Sequence, residues 1–147
     1  MPDILHRVGM KGSAAKVYDA IATTEGLSHW WSTGTTGDTE VGGVVKVEPH
    51  GGGFDLKVLE SKPGEIIRWR CVGGPPEWIG THLSFRIETR GDETFVLFKH
   101  MGWPEPVEFM HHCSTKWATY LLSMKSLLEG GRGRPHPHDL HISARGD

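Results

Sequence analysis

The stretch Val107–Glu129 constrains the fold of this chain more than any other part of its sequence. It reads VEFMHHCSTKWATYLLSMKSLLE, and its apolar residues recur at spacings of three and four, which places them on one side of an α-helix. These residues are Met110, Cys113, Trp117, Tyr120, Leu121, Met124, Leu127 and Leu128. Pro106 suits the first position of a helix, and Gly130-Gly131 suits its end. A helix with so wide an apolar face needs a large partner surface.

The chain before this helix supplies strands that can form such a surface. Short runs in which apolar residues recur at alternate positions are typical of half-buried strands, and they fall at 54–58, 67–71 and 83–87. Further strands are expected at 44–47 and at 94–101, and the second of these is apolar on both faces. Short connections rich in glycine, proline and charged residues join most of these runs, so neighbouring strands are expected to pair antiparallel. The pattern predicts an α+β fold in which a curved antiparallel sheet surrounds the long helix.

Two shorter helices are predicted near the N-terminus, after a strand at Ile4–Val8. Ser13 is a good N-cap for the first helix, and Thr24 can cap a second that runs into Trp30-Trp31. One tryptophan of this pair is expected in the core, while the other can form part of a pocket.

Composition excludes several classes of protein. The chain has 147 residues, which suits one domain, and its 16 basic and 18 acidic residues are mixed, giving a net charge of −2. Clustered Lys and Arg of the kind that binds nucleic acid are not apparent. No apolar run approaches the ~20 residues of a membrane-spanning helix, and no secretory signal is visible. We therefore expect a cytoplasmic protein that binds neither nucleic acid nor membranes.

The end of the sequence differs from the rest. Residues 132–147 have no apolar periodicity, so we expect a domain at 1–131 followed by a disordered and dispensable tail. Cys71 and Cys113 fall in a strand pattern and on the helix stripe, and we expect two small buried hydrophobic residues rather than a disulfide.

At the level of whole segments the chain resembles a known superfamily. The segments VYDAIATTEGLSHWWS, FKHMGW and WATYLLSMKSLLEGG resemble, in this order and spacing, the SRPBCC (START/Bet v1-like) superfamily, and within it the branch related to the activator of Hsp90 ATPase. The resemblance implies a helix-grip fold that encloses a hydrophobic cavity for lipids, sterols or polyketide-like molecules. Some members are carriers, some are cyclases, and the Hsp90-activating members are cochaperones with a further domain that this sequence does not show.

The predicted cavity lies between the long helix and the concave face of the sheet. Its expected lining is Trp30, Trp69, Phe85, Phe98, His100, Trp117 and Tyr120. His100 follows Val96 and Phe98 on the inward face of its strand, so it is either a polar anchor for a ligand or a hydrogen-bonded core histidine. If the chain is an enzyme, His100 is its candidate for proton transfer.

No cofactor or metal site is expected. His111 and His112 are adjacent and point about 100° apart on a helix, so they cannot bind one metal together. His136, His138 and His141 fall in the predicted tail.

Three functions remain open from the sequence. The favoured one is binding or carrying a small hydrophobic or aromatic molecule. The alternatives are an enzyme of the polyketide cyclase or aromatase type and, by analogy with the family, a protein that interacts with an Hsp90-type chaperone. Phe95 and Leu97 point away from the cavity, so we expect either a covering loop or a homodimer contact there.

Overall fold

The computed structural model describes residues 1–48 and 53–144. Its helices are α1 (Ala14–Ala22), α2 (Thr24–Trp30) and α3 (Glu108–Gly130). Its strands are β1 (Ile4–Met10), β2 (Thr36–Gly37), β3 (Val44–Val47), β4 (Phe54–Lys62), β5 (Ile66–Gly73), β6 (His82–Arg90) and β7 (Glu93–Met101). The turn expected at 49–53 lies almost entirely outside the described residues.

The strands form one antiparallel sheet, which in the described part of the chain has the order β1-β7-β6-β5-β4-β3-β2. Register shifts in β4 between Asp55 and Leu56 and between Val58 and Glu60 interrupt its pairing with β5. Such irregularities increase the twist and bend of a strand. The sheet is followed by the long helix α3, and this arrangement confirms the predicted α+β helix-grip fold.

Helix α3 buries much of the stripe that its sequence predicts. Cys113, Trp117, Tyr120, Leu121 and Met124 are buried, whereas the remaining apolar members of the stripe are half-buried. The helix ends as expected, because the next residue is a glycine in the left-handed conformation with φ of 78°. Among the described residues, no helix combines the length and the apolar character that crossing a membrane requires.

The two short helices pack against each other at the N-terminal end of the fold. The Ser13 hydroxyl caps α1 by accepting from the Lys16 N–H at 3.1 Å, as predicted. The cap of α2 is Thr23 rather than Thr24, because the Thr23 hydroxyl accepts from the Gly26 N–H at 2.9 Å. The expected cap was therefore one residue too late.

Residues 132–144 differ from the disordered tail that their composition predicted. The backbone of His136 pairs with the chain after α2, donating to the Trp31 carbonyl at 2.8 Å and accepting from the Thr33 N–H at 3.1 Å. The Arg134 N–H donates to the Ser123 hydroxyl at 2.6 Å. Polar and backbone contacts of this kind leave no apolar periodicity in a sequence, so a composition argument does not detect them. Residues 145–147 lie outside the described part.

On the outer face of the sheet, Phe95 and Leu97 are both half-buried. The Phe95 ring lies beneath two guanidinium groups, whose central carbons are 5.1 Å (Arg7) and 4.7 Å (Arg90) from the ring centroid. A covering loop was one expectation for this ring, and the cover that the structure shows comes from arginine side chains. Both cysteines are unpaired and buried.

Candidate functional site

The space directly beneath α3 is filled by interlocking aromatic rings. Trp69 meets Phe85 at a centroid distance of 5.1 Å, Phe85 meets Phe98 at 5.0 Å, and Phe98 meets Trp117 at 4.4 Å. The strand register produces this cluster, because Phe85 on β6 lies opposite Phe98 on β7 and Ile67 on β5. These distances are those of packed aromatic pairs, so this part of the interior is a solid core.

A cavity of about 660 Å³ lies beside this core, between α3, the start of β4 and the connection from β5 to β6. Its lining is Trp31, Gly53, Phe54, Asp55, Gly74, Pro75, Trp78, Phe109, His112, Cys113, Lys116, Trp117 and Tyr120. Of the predicted binding residues, Trp117 and Tyr120 therefore line the cavity.

Trp30, Trp69, Phe85, Phe98 and His100 are not among the lining residues. They are nonetheless buried, and the rings of Trp69, Phe85 and Phe98 belong to the core described above. Of the paired tryptophans, Trp30 is the core member. Its indole N–H donates to the Ala20 carbonyl at 2.7 Å, which fixes it between α1 and the sheet.

Several lining residues were not predicted, and Trp78 is the most informative. It follows the Gly73–Pro76 break, which the sequence pattern marks only as an irregular connection. Its ring stacks on Phe54 with centroids 3.9 Å apart and an angle of 8°, and its indole N–H donates to Cys113 Sγ at 3.4 Å. A large aromatic residue in a glycine- and proline-rich connection is the signal that would have indicated a role at the site.

His100 is fully buried, and its ring nitrogens both have partners within the fold. Nδ1 accepts from the Trp117 indole N–H at 3.2 Å, so Nε2 carries the proton and donates to the Thr81 hydroxyl at 2.8 Å. That hydroxyl in turn donates to the Trp78 carbonyl at 2.5 Å. Burial lowers the pKa of His100 to about 3. The structure therefore shows the hydrogen-bonded core histidine, which was one of the two alternatives that the sequence left open.

The polar part of the cavity wall is formed by Lys116 and Tyr120, which project from successive turns of α3. Both side chains are buried and both donate to Oδ2 of Asp139: the Lys116 ammonium forms a short ion pair with it, and the Tyr120 hydroxyl is 2.8 Å away. Burial alone would raise the pKa of Asp139, but the hydrogen bonds from Lys116 and Tyr120 and the charge of Lys116 lower it below its ordinary value.

Cys113 on the same wall is a neutral thiol. Burial raises its pKa to about 12, against a smaller opposing effect of the hydrogen bond from Trp78. A neutral thiol is a poor nucleophile. Within residues 1–48 and 53–144, no three His, Cys, Asp or Glu side chains are grouped so that they could hold a metal ion.

A curved antiparallel sheet wrapped around a long helix, with an aromatic cavity beside that helix, defines a helix-grip protein. The chain belongs to the family described as activator of Hsp90 ATPase homolog 1-like proteins, whose family model matches residues 11–129. This match confirms the predicted branch of the SRPBCC superfamily.

One solved structure supports the family assignment, and others show the same fold. The chain is similar to the Aha1 dimer of Colwellia psychrerythraea, a solution structure, with 43% identity over 90% of this chain and 100% of that one and a TM-score of 0.84. A Mesorhizobium loti protein (16% identity, 86% of this chain and 96% of that one, TM-score 0.74) shares the fold. CalU16 of Micromonospora echinospora also shares the fold, with 17% identity over 96% of this chain and 74% of that one and a TM-score of 0.78. A comparison with curated proteins found no significant match.

Proposed function

We propose that this protein binds a small hydrophobic or aromatic molecule in the cavity beside α3. The observation that carries the proposal is the cavity itself, whose volume of about 660 Å³ lies within the ~300–1,000 Å³ typical of ligand pockets. Its walls are mainly apolar and aromatic, and its few polar side chains are concentrated on α3 and at Asp55. That combination suits a ligand with a flat apolar body.

The arrangement of the aromatic walls supports a ring-shaped ligand. Trp117, Trp31 and Trp78 all line the cavity, and the ring centroid of Trp117 is 4.9 Å from that of Trp31 and 6.0 Å from that of Trp78. A flat molecule that stacks on such rings gains ~0.5–1.5 kcal/mol per ring pair beyond the burial of its apolar area.

Calorimetric titration with 2-naphthylmethanol tests this proposal, and the chain offers a matched pair of variants. Phe109 and Phe95 are both half-buried phenylalanines, but Phe109 lines the cavity whereas Phe95 lies on the outer face of the sheet. We expect saturable binding that Phe109→Ala weakens about tenfold, which corresponds to ~1.4 kcal/mol, and that Phe95→Ala leaves unchanged. Equal effects of both variants, or no saturable binding by the wild-type protein, would contradict a ligand in this cavity.

The polyketide cyclase or aromatase alternative has less support. It relied on His100 for proton transfer, and a catalytic acid or base needs a pKa near the working pH and access to the substrate. The buried ring with a pKa of about 3 and with partners on both nitrogens meets neither condition. For this reason the proposal is a binding function rather than catalysis.

A second candidate function is interaction with an Hsp90-type chaperone in the cytoplasm. Its support is the family to which the chain belongs and the 43% identity to the Colwellia psychrerythraea Aha1. The direct measurement is the ATPase rate of the Hsp90 from the source cell with and without this protein. An increased rate supports the interaction, whereas an unchanged rate together with no co-purification rejects it.

We further propose that the protein forms a homodimer, because the Colwellia psychrerythraea relative is described as a dimer. Light scattering at increasing protein concentration measures this directly. The Leu5→Lys variant tests the outer face of the sheet, where Leu5 is exposed on β1 and Leu97 lies on the adjacent β7. A dimer mass that this change lowers to a monomer mass locates the contact there, and a monomer mass throughout contradicts the dimer.

A further inference from the structure

The C-terminal segment, residues 132–144, borders the cavity. It contacts three of the lining residues, namely the backbone of Trp31 and the side chains of Lys116 and Tyr120. These contacts place the segment at the polar end of the cavity, where Lys116 and Tyr120 present their donors. None of the described residues of the segment is among the lining residues, so it meets the cavity through the side chains of Lys116 and Tyr120.

One carboxylate of this segment contacts both Lys116 and Tyr120 on the cavity wall. Asp139 is the only side chain of the segment that is buried within its described residues. Its Oδ2 accepts from the Lys116 ammonium and the Tyr120 hydroxyl, and its Oδ1 lies 3.5 Å from His136 Nδ1. The Lys116 ammonium also donates to the Leu140 carbonyl at 2.9 Å.

An ammonium and a phenol that converge on one carboxylate oxygen form a site for an organic anion. Charge-assisted hydrogen bonds of this type are the strong ones, and a buried lysine needs a negative partner. Here the partner comes from the chain's own C-terminal segment, whose other described contacts with the domain are largely polar and backbone interactions. A ligand that carries its own carboxylate offers Lys116 and Tyr120 the same chemistry.

We propose that the cavity takes an aromatic carboxylic acid, whose carboxylate replaces that of Asp139 on Lys116 and Tyr120. This inference rests on the proposed function and specifies its ligand class. Until such a ligand displaces it, Asp139 occupies the donors of both side chains. Asp55 also lines the cavity, and its charge favours the orientation in which the ligand's carboxylate lies at Lys116.

Two ligands of the same size separate the contribution of the carboxylate from that of the ring. We would titrate 2-naphthoic acid and 2-naphthylmethanol into the full chain by calorimetry near neutral pH. Asp139→Ala removes the competing carboxylate, and we expect it to tighten binding of the acid about tenfold or more while the alcohol changes much less. Asp139→Asn, which keeps the shape of the side chain, is expected to give an intermediate gain.

Two further variants test whether Lys116 and Asp139 cause the preference for the acid over the alcohol. His138→Ala lies on the same segment at an exposed position beside Asp139, so it should leave both affinities at the wild-type values. Lys116→Met removes the ammonium, so it should abolish the preference for the acid and retain binding of the alcohol.

The outcomes distinguish this inference from the proposed function. If the alcohol binds but neither Asp139 variant prefers the acid more than the wild type does, the carboxylate site is refuted and the apolar cavity remains. If neither ligand binds to any folded variant, both proposals fail. If Asp139→Ala does not fold, Asp139→Asn and Lys116→Met still give the comparison, and an unchanged acid preference in both overturns the inference.

Discussion

The indole N–H of Trp117 donates a hydrogen bond to Nδ1 of His100 at 3.2 Å. This bond joins α3 to β7 at a point where both side chains are buried. It also determines the tautomer of the histidine, because an Nδ1 that accepts leaves the proton on Nε2 for the Thr81 hydroxyl. Trp117 thus both lines the cavity and orients the histidine behind it.

Trp117→Phe should destabilise the protein more than the same change at Trp103. Both indoles are buried, but within the described residues Trp103 Nε1 has no hydrogen-bond partner. Trp117→Phe leaves His100 Nδ1 buried without its donor, which costs ~1–3 kcal/mol in addition to the lost packing. Urea unfolding of both variants measures the difference. Equal losses would show that the bond to His100 contributes nothing net.

The stability of the protein should fall as the pH drops below about 6.5. Burial lowers the pKa of His100 from 6.5 to about 3, so between these values the unfolded chain binds a proton that the folded protein does not. Folding is then disfavoured by up to ~1.4 kcal/mol per pH unit. The measurement is the free energy of unfolding from pH 7 to pH 4.

The matched variant for this effect is His100→Asn, whose amide can still accept from Trp117. It should show a shallower dependence on pH than the wild type, because the titrating ring is gone. The other histidines are present in both proteins and their contribution cancels. Identical slopes would mean that folding does not lower the pKa of His100.

The fold was largely predictable because its signals are local. The period of the stripe on α3 correctly placed Trp117, Leu121 and Met124 in the core. The burial of Lys116 and Ser123 was not predicted, because both are covered by residues 132–144. That packing depends on contacts between distant parts of the chain, which leave no period in the sequence.

The site was less predictable than the fold. Inward-facing aromatic residues were correctly expected beneath α3, but whether such rings leave a void or interlock depends on their rotamers and distances. Phe85 and Phe98 interlock with Trp117 at centroid distances of 6.4 Å and 4.4 Å. The cavity formed instead where the irregular connection with Trp78 meets α3, and a pattern of alternating residues does not describe such a connection.

A substitution at Gly26 tests how closely α1 packs on α2, and the same substitution at Gly130 is its control. A Cβ on Gly26 would lie 2.5 Å from the Asp19 carbonyl oxygen and 2.7 Å from Ala20 Cα, and backbone atoms cannot yield easily. Gly26→Ala should therefore cost ~1–3 kcal/mol of stability. A Cβ on Gly130, at the end of α3, would meet no heavy atom of the described residues within 4 Å, so Gly130→Ala should add ~0.4–1 kcal/mol. Thermal unfolding compares the two variants with the wild type. Changes in melting temperature of the same sign for both would contradict this explanation.

Deleting residues 132–147 should lower the stability of the protein, contrary to the dispensable tail that the sequence suggested. The deletion removes the backbone partner of Trp31 and leaves Lys116, which is 6% exposed, without Asp139. Breaking a buried ion pair by removing one partner typically costs ~3–5 kcal/mol, and the amount is smaller where the lysine reaches water.

Asp139→Ala in the full chain should reproduce most of the loss measured by urea unfolding. His138→Ala on the exposed side of the segment should stay within about 0.5 kcal/mol of the wild type. A truncated protein as stable as the full chain would show that the segment does not hold this position in solution.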